Sequence, residues 1–118
     1  HTPKEISVVL DTASQEFPNS QLICIVCLRQ FHRTKRLLKE FAIELSRADE
    51  CLIAPITPGL GDNNATRQSV SSQDLALKIN LNHGKSTSYE KQPGSLLVYS
   101  YLMFKFIYKA KLCQKIRN

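Results

Sequence analysis

The chain has no tryptophan, one methionine and only four glycines among 118 residues. Such sparse glycine excludes a collagen-like architecture. Nowhere do the roughly 20 apolar residues of a membrane-spanning helix run together. The nearest approach, Leu96 to Ile107, is shorter and is interrupted by Lys105. The sequence also lacks Gly-x-x-x-x-Gly-Lys-Ser/Thr, and with it the backbone amides and lysine that cradle nucleotide phosphates. His83-Gly84-Lys85-Ser86 copies only the end of that pattern, with one glycine and no strand before it, and reads as a surface turn. Cysteine is confined to Cys24, Cys27, Cys51 and Cys113. Their irregular spacing, with no signal peptide in view, indicates reduced thiols rather than a disulfide framework. Cys24 and Cys27 have metal-ligand spacing, but they lie in an apolar, strand-like run where residues three apart face opposite ways. No second Cys/His pair follows, so both are expected as buried structural thiols.

Acidic residues are missing altogether beyond Glu90. Residues 1–92 hold 11 Lys/Arg and all 10 acids, whereas residues 93–118 hold 5 Lys/Arg and none, so the net charge of +6 belongs largely to the tail. Five tail charges without a recognition motif do not make a nucleic-acid-binding domain, and a membrane-surface role rests on the tail alone. A chain of this length, 42% apolar, buries one core. Its start at His1 rather than at a methionine reads as a piece of a longer protein. The expected division is an α/β domain over residues 1–92 and a divergent basic and aromatic tail over 93–118, the latter supplying a last strand and helix.

Local signals give the order of elements. Thr2-Pro3-Lys4-Glu5 places a hydroxyl at the N-cap, proline at the first helical position and a carboxylate at the third, which starts a helix. Ile6, Val9, Leu10, Ala13 and Phe17 continue it at helical spacing until Pro18-Asn19-Ser20 turns the chain. Gln21 to Leu28 is a continuous apolar run, as expected of a strand covered on both faces. Thr34 to Arg47 carries Leu37, Leu38, Phe41, Ala42 and Leu45 on one face and reads as one amphipathic helix. Cys51 to Ile56 is the next buried strand, residues 57–71 a polar loop, and Ser71 or Ser72 caps a helix through Ile79 with Asp74 in its first turn. Asn80 to Gln92 is polar and turn-rich, Gly94 to Leu102 has strand composition, and Lys105 to Arg117 is basic and reads as a helix. Alternating helices and buried strands predict an α/β fold with a mostly parallel sheet and helices on both faces.

The residues from His1 to Ala54 resemble the C-terminal domain of the Mur ligases, in particular its L-alanine-adding branch. His1-Thr2-Pro3-Lys4-Glu5-Ile6 stands where that family has His-His-Pro-Thr-Glu. Phe31-His32-Arg33-Thr34-Lys35-Arg36-Leu37-Leu38, then Phe41-Ala42, stands where it has Pro-His-Arg-Tyr/Phe-Ser/Thr-Arg-Thr and a Leu-rich helix. Ala48-Asp49-Glu50-Cys51-Leu52-Ile53 and Ser71-Ser72-Gln73-Asp74-Leu75-Ala76 are similar to its next strand and helix start, in the same order. The resemblance implies a Rossmann-like domain, truncated or altered at its C-terminal end, because the Gly-rich turn the family has near Tyr99-Ser100-Tyr101-Leu102 finds no equivalent.

The resemblance also implies a chemistry: ATP phosphorylates the carboxylate of a UDP-linked muramic acid, and the amine of L-alanine attacks the acyl phosphate. In the family, ATP and magnesium belong to a central ATPase domain, which would be this chain's partner, and neither is expected on this domain alone. The setting is cytoplasmic cell-wall synthesis, or a plastid in a photosynthetic eukaryote. The C-terminal domain brings the pocket for the amino-acid carboxylate, a ligand that suits the planar, bidentate guanidinium fork. Carried over by position, the pocket is His1, Arg29, Gln30 and Arg33. Gln30 replaces an arginine, Arg29 replaces a histidine and Thr2 replaces the second histidine of the His-His-Pro run; a gap placed one residue differently makes Arg29 the replacement for that arginine. Loss of one charge-assisted contact costs about 1.5 to 3 kcal/mol of carboxylate binding. The alternative for these residues is a solvated basic link.

His32, where the family has a small hydroxyl residue, reads mainly as a loop histidine with acid/base capacity. Asp49-Glu50 is an acidic pair at the start of a strand rather than a catalytic dyad, and Asn64-Ala65-Thr66 is a formal glycosylation acceptor without meaning in a reduced compartment. Three function classes follow: an amino-acid-binding domain that acts only with its ATPase partner, a non-catalytic remnant, and an interaction module using the basic tail at a membrane surface.

Overall fold

A computed structural model describes residues 2–88 together with the backbone of the strand 104–109. Helix α1 (Pro3–Glu16) starts as its sequence requires. Thr2 Oγ1 accepts from the Glu5 amide at 3.2 Å and the Glu5 carboxylate accepts from the Thr2 amide at 3.1 Å. Strand β1 (Gln21–Val26) follows, then helices α2 (Phe31–Arg36) and α3 (Leu38–Leu45), strand β2 (Glu50–Ile53), helices α4 (Asn64–Gln68) and α5 (Ser72–Leu81), and strands β3 (Ser86–Ser88) and β4 (Phe104–Lys109).

The sheet order is β3-β2-β1-β4. β1 and β2 run parallel with Cys24 opposite Cys51 and Val26 opposite Ile53, and β3 continues the parallel set beside β2. Two right-handed crossovers that step in one direction leave their helices on the same face of the sheet. In accord with this, α3 and α5 share one apolar cluster with α1. Ile6, Leu10 and Ala13 of α1, Phe41, Ala42 and Leu45 of α3, and Leu75, Ala76 and Ile79 of α5 close over Leu22, Cys24, Val26, Cys51 and Ile53. Ile25, Cys27 and Ala54, with Leu52, form a second, smaller cluster. The fold is the expected α/β class with a mostly parallel, open sheet; α1, α3 and α5 make up one of the two helical layers that were expected.

Several boundaries differ from expectation. The single helix expected over Thr34 to Arg47 is two helices, broken at Leu37, and the first begins at Phe31. Thr34 lies inside α2: it is 1% exposed, and its hydroxyl donates to the Gln30 carbonyl at 3.0 Å. The polar loop over residues 57–71 contains α4, started by Asn63 Oδ1 accepting from the Thr66 amide at 2.9 Å. The turn-rich stretch after Asn80 includes β3, whose Ser86 amide donates to Asn80 Oδ1 at 3.0 Å.

The helix expected over Lys105 to Arg117 is corrected at its start. Residues 104–109, FKFIYK, form an antiparallel strand on β1, with Gln21 opposite Lys109 and Val26 opposite Phe104. Their aromatic and β-branched content favours a strand, and β1 offers a free row of backbone groups to pair with. The strand expected over Gly94 to Leu102 lies outside the described residues.

Candidate functional site at the carboxyl end of strand β1

Beyond Val26 the chain runs through Cys27-Leu28-Arg29-Gln30 and enters α2. Arg29 makes a parallel bridge with Thr57, the Gln30 amide donates to the Thr57 carbonyl at 2.8 Å, and the Thr57 amide donates to the Leu28 carbonyl at 3.0 Å. The loops after β1 and β2 are thereby tied together at one end of the sheet. Gln30 sits at the N-cap of α2 with φ of 68° and makes no side-chain cap.

The cap comes from Asp62 instead. Its carboxylate accepts from the amides of Phe31 at 2.8 Å, His32 at 3.1 Å and Gly59 at 2.9 Å, and contacts His32 Nδ1 at 2.7 Å. The Asp62 side chain is 0% exposed, against 43% for His32. Desolvation pushes the Asp62 carboxyl up, but the Gly59 amide, the His32 imidazole and the Phe31 and His32 amides outweigh it and hold the group well below the usual carboxylate range. A carboxylate so held fixes the His32 ring through Nδ1 and leaves Nε2 as the ring's other hydrogen-bonding atom.

Three of the four residues expected in the carboxylate pocket share this turn. Arg29 is exposed, Arg33 is half-buried one helical turn further on, and neither guanidinium has an ion-pair partner among the described residues. Gln30 has a different occupation: its Cγ would lie 2.2 Å from a Cβ placed on Gly59, so its stem rests on that glycine's backbone. His1 lies outside the described residues. In open α/β sheets, ligands bind beyond the carboxyl ends of the strands, and Arg29, Gln30 and Arg33 stand there.

Sequence reading missed Asp62. Its only local signal is the turn Pro58-Gly59-Leu60-Gly61-Asp62, because the amides it caps are about 30 residues away in the chain. His32 is not a solitary loop histidine either: with Lys35, Arg36, Ala65, Thr66 and Ser69 it lines a cleft of about 510 Å³ between α2 and α4.

Other candidates resolve into structure. Asp49 Oδ2 accepts from the Leu22 amide at 2.6 Å, so this acid fastens the start of β1. Cys24 and Cys27 fall in the two different clusters, as their spacing requires, and both are free thiols, as is Cys51. The hydrogen bond with Cys51, then burial, push the Cys24 thiol up, and burial does the same for Cys27. His83-Gly84 ends α5: the His83 amide donates to the Asn80 carbonyl at 3.1 Å and the Gly84 amide to the Ile79 carbonyl at 2.9 Å, a left-handed helix stop. Among the described residues no three His, Cys, Asp or Glu side chains come together in a way that could hold a metal ion, and no helix is long and apolar enough to cross a membrane.

These features define a class: an α/β domain that presents a basic strand-to-helix turn at the carboxyl end of its parallel strands. Comparison with known proteins supplies the family. Over 82 residues, 70% of this chain, it is 39% identical to the UDP-N-acetylmuramate–L-alanine ligase of Pediococcus pentosaceus, and the match covers 18% of that protein. Over 79 residues, 67% of this chain, it is 35% identical to the ligase of the same name from Lactiplantibacillus plantarum, covering 17% of it. The chain is a relative of the Mur ligases and spans less than a fifth of the length of these curated relatives. No family profile matches it, and no solved structure does.

Proposed function

We propose that this chain is the C-terminal, amino-acid-binding domain of a UDP-N-acetylmuramate–L-alanine ligase-like protein of peptidoglycan precursor synthesis. The carrying observation is that Arg29 and Arg33, both without ion-pair partners among the described residues, stand at the carboxyl end of β1 in a chain related to those ligases. In this reading Arg33 and Arg29 grip the carboxylate of L-alanine, His1 borders the same pocket, and Gln30 offers an uncharged donor. The residues present do not fit ATP or magnesium: the phosphate-binding sequence is lacking, and Lys85 belongs to the segment that follows the stop of α5. Both would be held by a central ATPase domain, the partner this domain requires for activity, in the cytoplasm or, in a photosynthetic eukaryote, in a plastid.

The test is to join the chain to the preceding domains of the Pediococcus relative and measure ATP-dependent addition of L-alanine to UDP-N-acetylmuramate. Activity is expected, with Arg33→Ala lowering kcat/KM by about a hundredfold, equal to roughly 2.7 kcal/mol. Gln30→Arg is expected to lower the KM for L-alanine by about tenfold. A folded but inactive chimera would favour the second reading, a non-catalytic remnant or interaction module. The observation on that side is the commitment of Gln30 to packing on Gly59 where the family has an arginine.

A further inference from the structure

The cleft between α2 and α4 has a chemistry of its own, separate from the Arg29–Arg33 turn. Its α2 wall is His32, Lys35 and Arg36, three basic residues at helical spacing, and its α4 wall is Ala65, Thr66 and Ser69. Among the described residues no acidic side chain lines it. Lys35 and Arg36 are exposed and have no ion-pair partner among the described residues. The hydroxyls contribute little charge recognition, since Thr66 donates to the Asn63 carbonyl at 2.8 Å and Ser69 to the Thr66 carbonyl at 2.6 Å. Recognition there falls to the three basic groups.

The second observation is the support beneath His32. Asp62, itself 0% exposed, binds Nδ1 at 2.7 Å and is saturated by three backbone amides, so it orients the ring without entering the cleft. With Nδ1 held on Asp62, Nε2 is the ring atom left to meet a ligand in the cleft that His32 lines together with Lys35 and Arg36. The groups facing His32 are Asp62 from the loop and Lys35 and Arg36 from its own helix; α4 adds no charged side chain to the lining.

We infer that the α2–α4 cleft is a binding site for a phosphate-class oxyanion, held by His32, Lys35 and Arg36, with Asp62 as the positioning residue for His32. A dianion of tetrahedral shape suits donors that converge from one helical face around an open cleft, and each contact is charge-assisted. A cleft of about 510 Å³ also has room for the rest of a small phosphorylated molecule. The inference does not depend on the amino-acid-binding reading, which uses different side chains.

The test is titration of the isotope-labelled full chain with inorganic phosphate at constant ionic strength, following the His32 ring resonances by NMR. Saturable shifts of the His32 ring resonances are expected as phosphate is added. Binding is expected to weaken by about tenfold or more in the Lys35→Gln/Arg36→Gln double variant and to persist in Arg29→Gln/Arg33→Gln. Both pairs are on the surface or half-buried, and retained dispersion in the amide spectrum confirms the fold. Non-saturating His32 shifts, an equal response to acetate, or wild-type binding by Lys35→Gln/Arg36→Gln would each overturn the site. Loss of binding only in Arg29→Gln/Arg33→Gln would overturn it as well and assign the phosphate to the neighbouring turn.

Discussion

Asp62 satisfies amides on two separate segments, Gly59 in its own turn and Phe31 and His32 at the start of α2. Its ionised form is therefore tied to the folded state. Because its folded pKa is depressed, the stability it contributes is fully present above the unfolded aspartate value of about 3.9 and is lost as pH falls through the lower folded value. Asp62→Asn is expected to lower the melting temperature at neutral pH, and its deficit against the wild type should shrink as the pH is taken from about 6 to about 3. A deficit independent of pH, measured by thermal unfolding in matched buffers, would show that the amides need only a neutral acceptor. Gly59 makes a second demand, since a Cβ there meets Gln30 Cγ at 2.2 Å. Gly59→Ala should cost about 1 to 3 kcal/mol by overpacking. Gln30→Gly removes the obstructing stem and suits the local φ of 68°. In denaturant unfolding the double variant should recover much of the loss, so the two changes are expected to be strongly non-additive.

Helix α5 shows how an element can be read at one end and improved at the other. Ser71 and Asp74 begin it with a reciprocal box, the Ser71 hydroxyl accepting from the Asp74 amide at 3.2 Å and the Asp74 carboxylate from the Ser71 amide at 2.8 Å. At the far end His83 takes φ of 65°, a conformation that costs a side-chain-bearing residue and suits glycine. His83→Gly should raise stability by about 0.5 to 1 kcal/mol, whereas Gly84→Ala should lower it, because its Cβ would meet Ile79 Cγ2 at 2.5 Å and the Ile79 carbonyl oxygen at 3.0 Å. Chemical denaturation of the two variants checks both signs. The starts of α1 and α5 were legible because donor and acceptor lie three residues apart, within one stretch of sequence. The start of α2 was not, because Asp62 supplies its cap from across the fold, with amide donors about 30 residues away in the chain. The break at Leu37 falls within an unbroken apolar periodicity and leaves no compositional mark. For the candidate site, Arg29 and Arg33 were legible as a basic turn, but the partnership of His32 with Lys35, Arg36 and α4 depends on a helix hidden in a polar loop.

At the scale of the whole molecule, β1 is central because strands arrive on both of its sides, β2 parallel and β4 antiparallel. The two pairings use alternate residues of β1. The Leu22 and Val26 carbonyls accept from the Asp49 and Ala54 amides at 2.9 Å, so Leu22, Cys24 and Val26 turn their backbone groups toward β2. Ile23 and Ile25 turn theirs toward β4, opposite Ile107 and Lys105. This gives a residue-specific signature for a strand that antiparallel pairing places where a doubly wound sheet has a parallel one. In the full chain, the amides of Ile23 and Ile25 should exchange with solvent as slowly as those of Cys24 and Val26. In a chain ended before Phe104, Ile23 and Ile25 should lose protection by about a hundredfold or more while Cys24 and Val26, still paired with β2, lose far less. The same truncation bares a row of unpaired groups beside Ile23 and Ile25, and with it a tendency to associate edge to edge. Hydrogen exchange read by NMR separates the cases: uniform loss along β1 would mean that β4 holds up the fold as a whole, and fast exchange at Ile23 and Ile25 already in the full chain would mean that β1 has no partner on that side.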